Sequence, residues 1–279
     1  MNGPLAQIVA LTCHGNAVLG GHGTSLFFPG NSTCQFCDSI KFIESKKTLL
    51  GKPVEVVQAS NPNEWISGLR KHDVIGIRLG RTPQNNPMIS DRMSAGLVGG
   101  GGNWKMEVLL RNGRSEFWAA RWEVWDRNAP EHKIWRVTYT LVGSDETKQY
   151  HGRELSVVKR DFEVSLRSIL QFSIREDCSD FFRKCFSDAL KALSDPNADV
   201  GYHKDLAAPD QLTDEAVSLL KASMSAWVFG AMGSWNDNAG FKGAAQKEYE
   251  EVSNNLFNIL NEAIEVVASG SVEFRIQRA

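Results

Sequence analysis

Apolar residues recur along the chain with two different periods, and the change falls near residue 155. Before it, Ser39–Glu44, Pro53–Ala59 and Val74–Leu79 are short runs rich in Val, Ile and Phe, bounded by Gly, Pro, Asn and Ser, a pattern that predicts strands joined by tight turns. Leu5–Leu11 and Ser25–Phe28 have the same texture and are read as buried strands. Asn61-Pro62 supplies an N-cap and a Pro at N1 for one short helix over Asn63–Lys71. Arg81–Gly102, with Pro83, Pro87 and four successive glycines at its end, reads as a long loop.

Residues 104–141 give the clearest local signal. Lys105–Leu110, the turn Asn112-Gly113 and Ser115–Trp125 predict a hairpin, because an Asn-Gly pair suits the positive φ angles of a type I′ turn. A further strand, Lys133–Leu141, follows. Alternation puts Trp118, Ala120, Trp122 and Val124 on one face and Phe117, Ala119, Arg121, Glu123 and Trp125 on the other. Trp135, Val137, Tyr139 and Leu141 form the apolar set of the next strand.

From residue 155 the spacing turns helical. Leu155–Val158 is strand-like, but Phe162, Leu166, Ile169 and Leu170 then follow a helical period, so Arg160–Phe172 is ambiguous. Asp180–Leu193 predicts a helix stopped before Asp195-Pro196, Thr213 caps a helix over Asp214–Met232, and Ala244–Ala268 carries a long apolar stripe ending at Gly270. The expected fold class is α+β, with an N-terminal mostly antiparallel sheet packed against a C-terminal helical layer. One compact domain over 1–279 is expected, β-rich over 1–155 and helical over 156–279, because no Pro/Gly/Ser-rich linker lies near residues 143–160.

Composition changes little in that picture. With 279 residues, 42% hydrophobic, 23% charged and a net charge of −2, the chain has the make-up of a soluble globular protein, which excludes collagen-like, disordered and disulfide-scaffold classes. Residues 1–37 hold no Asp, Glu, Lys or Arg, yet no basic n-region precedes the apolar stretch, and Gly15, Asn16, Gly20 and Pro29 break it well short of a membrane span. Neither a signal peptide nor a transmembrane segment is therefore expected, the location is expected to be cytoplasmic, and the sequon Asn31-Ser32-Thr33 is expected to stay bare. Five cysteines, an odd number, suggest reduced thiols, with Cys178 and Cys185 facing the apolar side of a helix with Phe182 and Phe186. The halves differ in charge: 17 Lys and Arg against 13 Asp and Glu over 1–150, then 14 against 20 over 151–279. A polyanion would meet the first half, but the overall balance is not that of a strongly nucleic-acid-binding domain.

Several groups carry candidate chemistry. Cys34-x-x-Cys37 with Cys13 and His14 or His22 has the residue types of a zinc site but lacks a second closely spaced pair, so no metal is expected and the thiols are expected to be free. Gly99–Gly102 offers backbone N–H groups to a ligand, without the Gly-Lys-Ser/Thr of a phosphate loop. Ala226–Asp237 places small residues at 230, 231 and 233 beside Trp235, Asn236 and Asp237, fitting either a ligand plate or a helix end packed on the core. Arg121 and Glu123 share a strand face, as a surface ion pair or, if covered, as costly buried charges with a function.

Leu5–Asn16, Asn31–Cys37 and Ala226–Asp237 resemble an uncharacterised protein family of mushroom-forming fungi, and the similarity spans the chain. Among mushroom proteins of this size it points to edodin-like ribosome-inactivating proteins, which hydrolyse one adenine N-glycosidic bond in ribosomal RNA. That activity would make ribosomal RNA the partner and would need no cofactor. The chemistry requires an unstacked base between aromatic plates, a cation or proton donor at the purine and a carboxylate at the oxocarbenium-like sugar. The residue types available are Trp235 or Tyr202 for stacking, Gly100 and Gly101 for close backbone approach, Arg121 for the purine, and Glu123 or Asp237 as carboxylate. Ala119-Ala120-Arg121-Trp122 is similar to the Glu-Ala-x-Arg helix of plant ribosome-inactivating proteins, but it lies in strand text and lacks the glutamate before the alanines. The competing class is a non-enzymatic binding protein, holding a small apolar ligand or a protein partner on its tryptophans.

Overall fold

The charge-free opening forms a helix where strands were expected. In the computed structural model, which describes residues 1–22, 26–47, 53–84, 86–97, 100–201, 203–230, 232–237 and 240–271, α1 (Gly3–Gly20) starts at Asn2, whose Oδ1 accepts the Leu5 N–H at 3.0 Å. It stops at Gly21, which takes the left-handed conformation (φ 88°) that favours glycine. Every residue from Leu5 to Ala17 is buried. A helix apolar on all sides belongs between two layers, and its text has no period to separate it from a buried strand; only the Asn-x-Pro start and the Gly-Gly stop reveal it. Ser25 lies outside the described residues, and residues 26–28 are loop and turn rather than strand.

β1 (Cys37–Lys47), β2 (Pro53–Ala59), β3 (Val74–Thr82), β4 (Asn103–Leu110), β5 (Arg114–Val124) and β6 (Trp135–Glu146) form a six-stranded sheet in the order β2-β1-β6-β5-β4-β3. All neighbours are antiparallel except β1 and β6, which run parallel. Between β2 and β3, α2 (Pro62–Gly68) is capped by Asn61 as expected and continues as a 3-10 turn over Leu69–His72. Phe42 is the centre of the sheet's inner face: it stacks on Trp65 at 4.6 Å and Tyr139 at 5.0 Å, with Trp118 edge-on at 5.9 Å. The polar residues of α1 also serve this core. Gln7 accepts the Tyr139 hydroxyl at 3.1 Å, and Asn16 exchanges two 2.8 Å hydrogen bonds with the Ile77 backbone.

The helical layer consists of α4 (Leu155–Arg175), α5 (Asp180–Ser194), α6 (Asp214–Ser225) and α7 (Ala244–Gly270). Helix α4 absorbs the strand-like Leu155–Val158. Helix α6 is capped by Thr213, but it ends at Ser225 rather than Met232, because the backbone turns back so that the Trp235 N–H reaches the Val228 carbonyl at 3.0 Å. Cys178 is buried just before α5, not on it. Ser269 of α7 receives the Leu79 N–H at 3.0 Å and donates to the Leu79 carbonyl at 3.1 Å. With Asn16, it occupies the outer edge of β3, which would otherwise offer unpaired backbone groups to another chain. The 81–102 segment holds one helical turn, α3 (Asp91–Ser94), whose Arg92 is buried and bonded to Asn254, Asn236 and Glu250. Buried residues of the sheet, α1 and the helical layer join in one connected apolar cluster.

A candidate ligand cleft lined by tryptophans

Strands β4 and β5 part company halfway along. They pair only from Met106↔Trp118 to Leu109↔Ser115; beyond Met106, β4 continues with β3 alone, and beyond Trp118, β5 continues with β6 alone. A bulge between Phe117 and Trp118 marks the divergence. The gap opens into a cleft of about 560 Å³, closed at one end by the first turn of α1 and lined by Trp104, Trp122, Trp227, Arg121 and Lys105. That volume lies within the usual range of small-molecule sites, roughly 300–1,000 Å³. Beyond Trp118 this side of β5 is a free edge with respect to β4, so Arg121 and Trp122 both border the cleft.

The indole nitrogens distinguish this cleft from the core. Nε1 of Trp122 and Nε1 of Trp227 are buried and meet no acceptor among the described residues. Trp122 lies edge-on to Trp135 at 5.9 Å and Trp227 tilts against Phe257 at 6.1 Å, so apolar contacts fix both rings while their donors stay unpaired. An adjoining hollow of about 360 Å³ shares Pro4 and Trp122 with the cleft and ends at Ser32 and His203.

The residues singled out by sequence fall in four places. Arg121, Gly100 and Gly101 line the cleft. The two glycines line it with spent backbone: the Gly100 N–H donates to Leu97 at 2.9 Å and the Gly101 N–H to Ser94 Oγ at 3.1 Å. A Cβ at Gly100 would stand 1.9 Å from the Ser94 carbonyl oxygen, so close packing, rather than ligand approach, demands glycine there. Glu123 sits two residues beyond Arg121, ion-paired to it at 3.2 Å with both side chains more than half exposed; this is a surface pair, not a buried one. Trp235 is fully enclosed by Phe172, Phe182, Phe186 and Tyr249, and its Nε1 donates to Ser253 at 2.7 Å. Asp237 is exposed and accepts the Gly233 and Ser234 N–H groups, closing the turn that seats Trp235. Tyr202 lies outside the described residues.

Sequence reasoning missed a Ser–His–Asp cluster, because its members are 171 residues apart and carry no local motif. Ser32 Oγ is 2.7 Å from His203 Nδ1 and donates to the Asp205 carboxylate, which also accepts the Ser32 N–H at 2.6 Å. With the single hydroxyl proton given to Asp205, the network assigns His203 Nδ1–H as the donor to Ser32. Asn31 and His14 bind the Asp205 carbonyl at 2.7 and 3.0 Å. Burial lowers the pKa of both histidines, favouring their neutral forms. In a nucleophilic triad the carboxylate orients the histidine; here it is bonded to the serine instead, an arrangement that fastens the 203–208 segment to the start of the 3-10 turn Ser32–Cys34.

The thiols are enclosed rather than reactive. Burial pushes Cys13 and Cys34 up to about 12 and Cys37 up to about 11, and thiolate is the form that binds metal or attacks carbon. Among the described residues, no group of three or more His, Cys, Asp or Glu could hold a metal ion, and no helix is long and apolar enough to cross a membrane. Compared with family models, curated proteins and solved structures, the chain matches none.

Proposed function

We propose that this chain is a binding protein that takes a small, planar, largely apolar molecule into the cleft between β4 and β5. The observation that carries this reading is one open cleft walled by three indole rings, Trp104, Trp122 and Trp227, with no Asp or Glu among its lining residues. Its three indole rings supply flat apolar contact to such a molecule.

The cleft supports binding better than adenine removal. N-glycosidic hydrolysis needs a carboxylate beside the sugar, and neither Asp237 nor Glu123 is among the cleft's lining residues. Two measurements test the reading together: calorimetric titration with a bicyclic aromatic ligand, and release of adenine from ribosomes. Saturable one-to-one binding, lost in Trp122→Ala and Trp227→Ala variants that retain the parent melting temperature, is the expected result. Adenine release that disappears in folded Glu123→Gln or Asp237→Asn would overturn it in favour of the glycosidase.

A further inference from the structure

The charge of the ligand can be argued from the same wall, resting on the reading of the cleft as a binding site. Its charged side chains are all cations. Lys105 and Arg121 bring two positive charges, and no Asp or Glu is among the lining residues. Lys105 is half-buried, and among the described residues no carboxylate pairs with it. Asn2, Thr82 and Asn103 line the cleft as neutral polar groups; Asn2 Oδ1 accepts the Leu5 N–H and its Nδ2 donates to the Ala95 carbonyl, both at 3.0 Å.

The backbone has the same polarity. Asn2 caps α1, an 18-residue helix with no acidic residue in its first turn, so the positive end of its dipole faces the cleft without a neutralising side chain. The nearest carboxylate in sequence, Glu123, is held by Arg121 on the exposed strand, where solvent screening makes the pair weak and an entering anion can compete for the guanidinium. A neutral hydrocarbon would leave Lys105 without a counter-charge. A cation would face Lys105, Arg121 and the helix end together.

We propose that the cleft selects a planar aromatic anion, whose ring lies among the Trp104, Trp122 and Trp227 indoles and whose oxygen atoms are drawn in by Lys105 and Arg121. Carboxylates and phosphate monoesters share this chemistry, so both are tested. The experiment titrates the full chain with four naphthalene probes of similar shape: 2-naphthoate, 2-naphthyl phosphate, 2-naphthylmethanol and 2-naphthylmethylammonium. At least one anion is expected to bind about tenfold or more tightly than the alcohol, with the ammonium weakest, and the stronger anion identifies the headgroup. Lys105→Gln is expected to remove most of that preference while changing the alcohol's affinity less than about twofold. Raising salt should weaken the anions alone. Arg121→Gln, at an exposed strand position, gives the same readout if Lys105→Gln does not fold. Equal affinity for anion, alcohol and ammonium would overturn the proposed selectivity and leave the binding reading standing. Failure of all four probes to bind would overturn both.

Discussion

Two groups of tryptophans in this protein look alike in sequence and differ in how their polar atoms are treated. Trp235, in the helical layer, is ringed by four aromatic side chains, and its indole N–H is donated to Ser253. Trp122 and Trp227, at the cleft between β4 and β5, are also packed against aromatic rings, but their N–H groups meet no acceptor among the described residues. Apolar contact therefore says little about role, because both groups have it. What separates them is place: Trp235 is fully enclosed, whereas Trp122 and Trp227 line an open cleft.

Truncating the satisfied side gives the largest expected effect. Trp235→Ala should lower unfolding free energy by about 3–5 kcal/mol, the usual cost of removing a buried aromatic, as measured by chemical denaturation. If Trp227→Ala costs as much, the comparison between the two groups fails.

Charged groups extend the contrast. Arg92 is buried with three side-chain acceptors, whereas Glu265 is pushed up to about 7, chiefly by burial and further by nearby Glu262, against the pull of Arg81. In the folded chain Glu265 keeps its proton to a higher pH than in the unfolded chain, so its contribution is fully present below about pH 4.5 and is lost as pH rises through about 7. Between pH 5 and pH 9 the parent should lose on the order of 3 kcal/mol relative to Glu265→Gln. Parallel stability curves for the two proteins would show that Glu265 is ionised in the fold at both ends.

The histidines tied to Asp205 have the opposite sign and a smaller effect. His14 and His203 have lowered pKa values, so the stability they give is present above about 6.5 and is lost as pH falls through their folded values. Double replacement by Gln should flatten the acid limb of the stability curve, and an unchanged limb would assign acid sensitivity elsewhere. Smaller still, Trp227→Phe removes an unpaired donor with little loss of packing and should shift stability by less than about 1 kcal/mol. Arg121→Gln should shift it by less than about 0.5 kcal/mol, since its ion pair is exposed. Both variants should be read for ligand affinity, where the expected change is larger than the change in stability.

What could be read in the sequence follows from how local each signal is. Asn61-Pro62 and Thr213 each act through backbone geometry within a few residues, and each cap appears where its chemistry puts it; the hairpin does turn at Asn112-Gly113, but only Gly113 takes a positive φ (79°), with its N–H on the Leu110 carbonyl, so the turn is not the type I′ that the pair suggests. The α+β architecture follows from the change of period near residue 155, which is also local. Helix α1 was hidden because burial on every side removes the polar stripe that marks a helix. The cleft was hidden for a different reason: it arises where β4 and β5 exchange partners, and a register that ends at Met106↔Trp118 is a relation between strands that neither strand's text contains. Arg121 belongs to the cleft, but the aromatic plates beside it are Trp104, Trp122 and Trp227, whereas the prominent text around Trp235 describes a core.

The position of α1 also bears on how the chain is made. Gln7 waits for Tyr139, and Asn16 waits for Ile77 and for Ser271 just beyond α7, so α1 is completed only by a residue 255 positions later in the chain. Until then a charge-free apolar rod has no layers to hide between, and the separation of its partners along the chain slows its capture. A chain ending before Ala244 should therefore aggregate or recruit chaperones through α1, while the full chain should refold slowly and in a manner sensitive to protein concentration. Light scattering during dilution from denaturant would show the difference.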